Sequence, residues 1–218
     1  MIREFGTVWQ HRDRLIDGVV NTIWLSAVSL LIALVLGACL SAALMSRRRS
    51  LQLPARTFVD FMRCVPFLLL AYVVYYGLPT LGLRFDNISA GIASLALYNS
   101  AYLGEILRAA WSNLPREYTE AGHAFGFHGA KLFFRIILPP LIFSATPIIG
   151  NQVIQIVKDS AFLTIIAVPE LTHEASAIQS MYYVPFGAFV AAVALYWMIC
   201  RCVEFIVRRT EILAEERR

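Results

Sequence analysis

Polar side chains recur at helical spacing inside two long apolar stretches of the chain. They are Tyr98, Tyr102 and Glu105 at i, i+4 and i+7, and Asn151, Gln155 and Asp159 at i, i+4 and i+8, with Lys158 beside the last. Each set falls on one face of a helix, where polar groups either line a hydrated path or hold neighbouring helices together. Both interpretations stay open, because Glu105 has Arg108 one turn on as an ion-pair partner and Lys158 has Asp159.

The composition is that of a membrane protein. Of the 218 residues, 58% are hydrophobic and 16% are charged, and the mean hydropathy is +0.63. Soluble domains have roughly 45–50% apolar and about 25% charged residues, so this chain has too little polar surface to cover a water-soluble domain. The net charge of +4 therefore does not indicate a nucleic-acid partner, since in a membrane protein the placement of charges matters more than their sum.

Five stretches without a charged residue are long enough to cross a bilayer, which takes about 20 apolar residues per helix. They run from 19 to 45, 64 to 83, 87 to 104, 136 to 157 and 175 to 200. We predict an all-α membrane protein with spans at about 19–45, 58–79, 88–110, 136–157 and 183–207. A sixth apolar segment, 160–169, is too short to cross. We expect it to be re-entrant or superficial, packed against the other helices.

The basic residues set the predicted orientation, because short loops rich in Lys and Arg stay in the cytoplasm. With an external N-terminus, fourteen basic residues fall on the inner side and five on the outer side. We therefore predict a periplasmic N-terminal segment at 1–18, one transmembrane domain at 19–209 and a cytoplasmic tail at 210–218.

The sequence lacks the motifs of soluble catalysis. It has no phosphate loop ending in Gly-Lys-Ser/Thr, no GxGxxG and no GxSxG. Its four cysteines form no CxxC pair, and His123 and His128 have no third ligand nearby, so we predict no metal site. We predict that the chain is not an enzyme and binds no cofactor. If ATP drives its work, another subunit hydrolyses the ATP.

The segment between the third and fourth predicted spans, about 109–135, is too long for a tight connection. Its pattern predicts a helix, a glycine-permitted bend and a second short helix. Its small residues would let another protein approach the backbone closely; they are Ala121, Gly122, Ala124, Gly126 and Gly129. Phe125 and Phe127 are aromatic side chains of the kind that anchor interfaces. An amphipathic loop lying on the lipid surface is the alternative.

The same loop resembles the signature of the ABC-type importer permeases, and within them the polar amino acid permeases. That signature is Glu-Ala-Ala, three residues, Gly, nine residues, Ile, one residue and Leu, commonly followed by Pro. The matching positions are Glu120, Ala121, Gly122, Gly126, Ile136, Leu138 and Pro139. Gly122 replaces the third alanine, and Glu117-Tyr118 stands where Gly-Gln often precedes the motif.

Other segments, within roughly residues 21–209, resemble the same family. They are Arg63 with Pro66, Tyr76 to Pro79, Asn99 to Tyr102 with Glu105 and Arg108, Lys158 to Ser160, and Val168 to Leu171. The departures are Cys64 and Val65 in the second span and Ala161 and Phe162 after the fourth.

The resemblance implies a permease subunit of the bacterial plasma (inner) membrane that imports a polar amino acid or a similar solute. The implied partners are a second permease, identical or homologous, two cytoplasmic ABC ATPases that use ATP and Mg, a periplasmic or lipid-anchored solute-binding protein, and membrane lipid. The loop would form cytoplasmic coupling helices that dock on an ATPase. Glu120 would cap or orient the first helix, Gly126 would allow the bend, and Pro139 would start the fourth span.

A zwitterionic amino acid needs an anion for its ammonium group and donors for its carboxylate. We expect the path to include Tyr98, Asn99, Tyr102, Glu105, Asn151, Gln155, Lys158 and Asp159. Glu105 or Asp159 would meet the ammonium group, and Lys158 with the amides would meet the carboxylate. Two other classes of protein stay open. One is an ion-coupled secondary carrier, which usually has buried carboxylates and internal repeats; the other is a membrane-embedded enzyme, which needs a catalytic cluster within the spans.

Overall fold

The computed structural model describes residues 2–215, which form ten α-helices and no strand within that range. The helices are α1 (Ile2–Gln10), α2 (Arg12–Leu44), α3 (Arg49–Cys64), α4 (Phe67–Tyr72), α5 (Asn87–Ser112), α6 (Arg116–Ala124), α7 (Gly129–Leu132), α8 (Leu138–Ser160), α9 (Leu171–Tyr182) and α10 (Pro185–Glu215). The predicted all-α class is confirmed. The tail predicted at 210–218 continues α10 as far as Glu215, and residue 1 and residues 216–218 lie outside the described part.

Shorter helical segments of other types join three of these helices to their neighbours. A π-helix, Val73–Gly77, and a 3₁₀ helix, Leu78–Leu81, extend α4. A second π-helix, Phe133–Ile137, joins α7 to α8, and a 3₁₀ helix, Ala161–Ile166, follows α8. The last corresponds to the short apolar segment of the sequence. Leu163 and Ile166 are buried, and the segment contacts α4, α5, α8 and α9, which confirms that it packs against the other helices.

Helices α2 and α5 form the most extensive helix pair of the fold, because two glycines let their backbones approach. A β-carbon at Gly37 would lie 3.1 Å from the backbone nitrogen of Gly104 and 2.9 Å from the β-carbon of Leu103. A β-carbon at Gly104 would lie 3.3 Å from the carbonyl oxygen of Gly37. Small residues at such crossings are how apolar helices pack closely in a membrane.

The predicted second span, 58–79, is not one straight helix. The chain bends by 107° between α3 and the run Phe67–Leu81. Pro66 has no N–H to continue α3, and the residue before a proline is driven into extended conformation. Val65 accordingly has φ −87° and ψ 133°.

By length and composition, the described residues contain three helical runs that could cross a membrane, or four with the bent pair counted as one. The three are Arg12–Leu44, Gly129–Ile166 and Pro185–Arg209. The sequence predicts five spans. The difference is α5, whose amides, tyrosines and serines make it less apolar than the other long helices.

Candidate functional site

Tyr98 and Tyr102 form a linked pair on one face of α5. Their hydroxyl groups are 3.2 Å apart and their ring centroids are 5.2 Å apart. The ring of Phe67, in the first turn of α4, lies 5.3 Å from that of Tyr98. The bend at Pro66 therefore places the start of α4 against the polar face that the sequence predicts on α5.

Glu105 is paired within its own helix. Arg108 donates two hydrogen bonds to its carboxylate, from Nε to Oε2 and from Nη2 to Oε1, both at 2.7 Å. This arrangement matches the alternative in which Glu105 pairs with Arg108 one turn on. A carboxylate that is already bound through both oxygens is a poor acceptor for a solute's ammonium group.

Asn99 joins two helices. It is fully buried, its Nδ2 donates to the carbonyl of Leu95 at 2.8 Å, and its Oδ1 accepts from Nε2 of Gln152 on α8 at 2.6 Å. Gln152 was not among the predicted site residues because it lies one position off the i, i+4, i+8 series. This bond corresponds to the interhelical role that amides often have in membrane helices.

Asp159 is the buried charge of the site, with 4% of the residue exposed. Its Oδ1 accepts a hydrogen bond from Nε2 of Gln155 at 2.8 Å. Its Oδ2 is buried without a hydrogen-bond partner within the described residues. Tyr98 lies within electrostatic range of this carboxylate, so Asp159 and the tyrosine pair belong to one region.

The other predicted residues of α8 are exposed: Asn151, Gln155 and Lys158. Among the described residues, Lys158 forms no ion pair with Asp159, although the two are adjacent and their charges interact. The charge of Lys158 also acts on Cys200 of α10. Lys158 thus has neighbours on α10 as well as on its own helix.

The loop between α5 and α8 has the predicted helix–bend–helix form. Helix α6 ends in a Schellman motif, in which the N–H of Phe127 donates to Gly122 and that of Gly126 to His123, both at 2.9 Å. Gly126 has φ +79°, the left-handed conformation that glycine adopts without steric cost. His123 and His128 close the bend, with their Nδ1 atoms 3.1 Å apart.

The motif residues of this loop divide into an inner and an outer set. Gly122 is buried, and a β-carbon there would overlap Cδ1 of Leu132. Phe127 and Ile136 pack on the same apolar cluster around Leu132 and Ile137. The expectation that the backbone at Gly122 is open to another protein is therefore wrong. Phe127 is half-buried against this cluster, and its role as an interface anchor stays a prediction.

Phe125 is the most exposed large apolar side chain of the outer set, with 82% of the residue exposed. Glu120, Ala121, Gly126 and Pro139 are also exposed, and Leu138 is half-buried. Glu120 does not cap α6: it is the fifth residue of the helix, whose N-cap is Pro115 and which has no side-chain cap bond. Pro139 lies in the first turn of α8, as expected.

A buried carboxylate that the sequence did not single out, Glu170, caps α9. It accepts hydrogen bonds from the N–H groups of Thr172 and His173 at 2.8 and 2.7 Å, and from the hydroxyl of Tyr196 on α10 at 2.6 Å. Burial raises the pKa of Glu170 above its ordinary value, although these hydrogen bonds act in the opposite direction. In the sequence, Glu170 belongs to the segment Val168 to Leu171, whose resemblance to the family motif does not indicate a helix cap.

Residues 29–211 match the family described as the binding-protein-dependent transport system inner membrane component. The chain belongs to this family. It is 33% identical over 183 residues to the probable glutamine ABC transporter permease protein GlnM of Bacillus subtilis, covering 84% of each chain. It is 32% identical over 217 residues to the octopine transport system permease protein OccM of Rhizobium radiobacter, covering 95% of this chain and 87% of that one.

The fold of this inner membrane component also matches a solved structure described as an amino acid ABC transporter with histidines. The TM-score is 0.88 at 26% identity, covering 95% of this chain and 97% of the other. The chain is therefore the permease component of an ABC importer in the inner membrane. Its contribution to that system is transport rather than catalysis.

Proposed function

We propose that this permease component carries a polar amino acid or an amino-acid-like solute across the membrane. The observation that supports it best is Asp159, a buried carboxylate with one oxygen free of hydrogen bonds within the described residues. A buried carboxylate oxygen without a hydrogen-bond partner can accept a hydrogen bond from the ammonium group of a solute. The relatives are described as permeases for glutamine and octopine, both of which are amino acids or amino acid derivatives.

The path would run between the facing sides of α5 and α8. Tyr98 and Tyr102 would line it, with Asn151, Gln155 and Lys158 exposed beside Asp159. Asn99 would keep the two helices together through Gln152 rather than meet the solute. Glu105 would hold Arg108 at the inner end of α5.

The proposed topology has five spans, with α5 and the bent α3–α4 pair each counted as one crossing. The N-terminus is outside and the C-terminus is cytoplasmic, because this orientation places fourteen basic residues inside and five outside. The α6–α7 loop then lies in the cytoplasm, where it can meet an ATPase.

The proposed partners are two cytoplasmic ATPases that consume ATP and Mg, a second permease, identical or homologous, and an external solute-binding protein. Phe125 is the anchor by which the α6–α7 loop docks, because it is large, apolar and 82% exposed at the tip of the bend. The Schellman motif at Gly126 holds that tip in place.

The test is uptake in proteoliposomes that contain the permease, its ATPases and its binding protein. Phe125→Ala and Gly126→Leu are expected to insert normally and to abolish ATP-driven uptake of a radiolabelled amino acid mixture. The first removes the anchor, and the second forces a branched side chain into a left-handed backbone. Leu81→Ala is the control, since Leu81 is 77% exposed and lies at the end of the 3₁₀ helix that follows α4, not on the loop.

Normal uptake by both variants would remove the docking role of the loop. Uptake that persists without nucleotide under an imposed ion gradient would instead identify an ion-coupled carrier. Wild-type proteoliposomes that accumulate no amino acid would contradict the proposed substrate class.

A further inference from the structure

A second charged group, Arg63, lies beside the proposed path and is not explained by the contacts described above. Arg63 is in the last turn of α3, directly before the 107° bend. Its guanidinium carbon lies 5.9 Å from the ring centre of Tyr102. A cation in the last turn of a helix is favoured by the helix dipole, and a guanidinium over a tyrosine ring gains cation–π attraction.

The acidic side chains nearest to Arg63 along these helices are already engaged. Asp60 of α3 pairs with Arg56 at 3.9 Å, and Glu105 accepts both of its close hydrogen bonds from Arg108. The charge of Arg63 acts on Glu105, but within residues 2–215 it forms no ion pair of its own. Its five donors are therefore open to an external acceptor.

The two unsatisfied charges lie at opposite ends of one aromatic pair. Asp159 lies in electrostatic range of Tyr98, Tyr98 is linked to Tyr102 at 3.2 Å, and Arg63 lies over Tyr102. Along α5 the step from Tyr98 to Tyr102 is about 6 Å, at 1.5 Å per residue. The tyrosine pair thus has an anion near one end and a cation near the other, so a solute that moves along the pair meets the two charges in turn.

We propose that Arg63 binds the carboxylate of the solute as it passes Tyr98 and Tyr102 after its ammonium group has met Asp159. This inference rests on the proposed function and changes the sequence-based expectation, which gave the carboxylate to Lys158. Arg63 suits that task better, because a guanidinium binds a carboxylate through two parallel hydrogen bonds. The charge of Lys158, by contrast, acts toward Cys200 of α10 as well as Asp159.

The experiment uses the full transporter in proteoliposomes, with its binding protein and a ¹⁴C-labelled amino acid mixture as the probe. Uptake and ATP hydrolysis stimulated by the loaded binding protein are measured side by side. Arg63→Gln is expected to lower uptake roughly tenfold or more, as loss of a charged hydrogen bond does, while stimulated ATP hydrolysis stays near wild type. Arg63→Lys should recover part of the uptake. Arg49→Gln, on the same helix, is the control.

Each outcome decides the matter. Every amino acid that the wild type accumulates should fall by the same factor in Arg63→Gln, because all share the α-carboxylate. A loss confined to acidic amino acids would place Arg63 on the side chain and contradict the proposal. Equal loss of uptake and ATP hydrolysis without recovery by lysine would show a structural role and also overturn it. Normal uptake in Arg63→Gln would refute this inference alone, whereas no amino acid uptake by the wild type would refute the proposed function with it.

Discussion

The bond between Asn99 and Gln152 gives a quantitative test of whether buried amides here hold helices together or meet the solute. The donor–acceptor distance is 2.6 Å and Asn99 is fully buried. Asn99→Leu keeps the volume of the side chain but leaves the Gln152 amide without this acceptor. An unsatisfied buried polar group costs about 1–3 kcal/mol, so we expect Asn99→Leu to be clearly destabilising.

The double variant isolates the bond itself. Asn99→Leu with Gln152→Leu removes both partners, and the coupling energy of such pairs in membrane helices averages about 0.6 kcal/mol and reaches about 1.7 kcal/mol. Because this bond is short and Asn99 is fully buried, we expect a value in the upper half of that range. Denaturant unfolding of the four proteins in mixed micelles measures it.

The control cycle pairs Asn99→Leu with Thr146→Ala. Thr146 is half-buried on the same helix as Gln152, and its hydroxyl donates to the carbonyl of Ile142 one turn earlier, so its coupling to Asn99 should be near zero. A coupling energy for Asn99 and Gln152 that is equally near zero would refute the interhelical assignment. Asn99 would then return to the set of candidate path residues.

Two further predictions concern the packing of the long helices and the cap of α9. Gly37→Ala should destabilise the protein by about 1–3 kcal/mol, as overpacking does, because the added β-carbon would lie 3.1 Å from the backbone of α5. Denaturant unfolding in micelles measures the change. An unchanged unfolding midpoint would contradict the close packing of α2 against α5. Burial raises the pKa of Glu170, so the folded protein keeps the carboxyl proton to a higher pH than the unfolded chain does. The stability that the protonated carboxyl group contributes is therefore lost as the pH rises above about 4.3 and through the folded pKa. Glu170→Gln should therefore reduce the fall in melting temperature with rising pH; identical pH slopes for the two proteins would contradict the effect of burial.

The loop between α5 and α8 shows what local sequence can determine. The helix, bend and second helix follow from residues close together in the chain, and Gly126 adopts the left-handed conformation that such a bend requires. The role of Gly122 could not be derived in the same way. Its neighbour Leu132 comes ten residues later, and only the folded loop shows that the two are in contact.

The second span illustrates a different limit. In the sequence, Pro66 already indicates a break in the helix, because a proline removes a backbone donor and restricts the conformation of the residue before it. The angle of 107° depends on where α2 and α5 hold each half, which no local rule supplies. The position of Arg63 over Tyr102 depends on how α3 packs against α5, so the sequence could not place this side chain beside the tyrosine pair.

Buried polar partners were the least predictable part of the site. Gln152 binds a residue 53 positions away and Tyr196 binds one 26 positions away. The spacing rules that found Tyr98, Tyr102 and Asp159 work within one helix. They carry no information on which helices face each other, and that information decides which amide is structural and which carboxylate is unpartnered.

The contact of Gly122 with Leu132 has a mechanical consequence. Because Gly122 has no side chain, the backbone of α6 lies directly against the side chains of Leu132 and Ile136 below the start of α8. We therefore expect α6 and the base of α8 to move together rather than independently. Gly122→Ala would push α6 away from Leu132, because the added β-carbon would overlap Cδ1 of that side chain, and would so weaken the connection between the loop and α8.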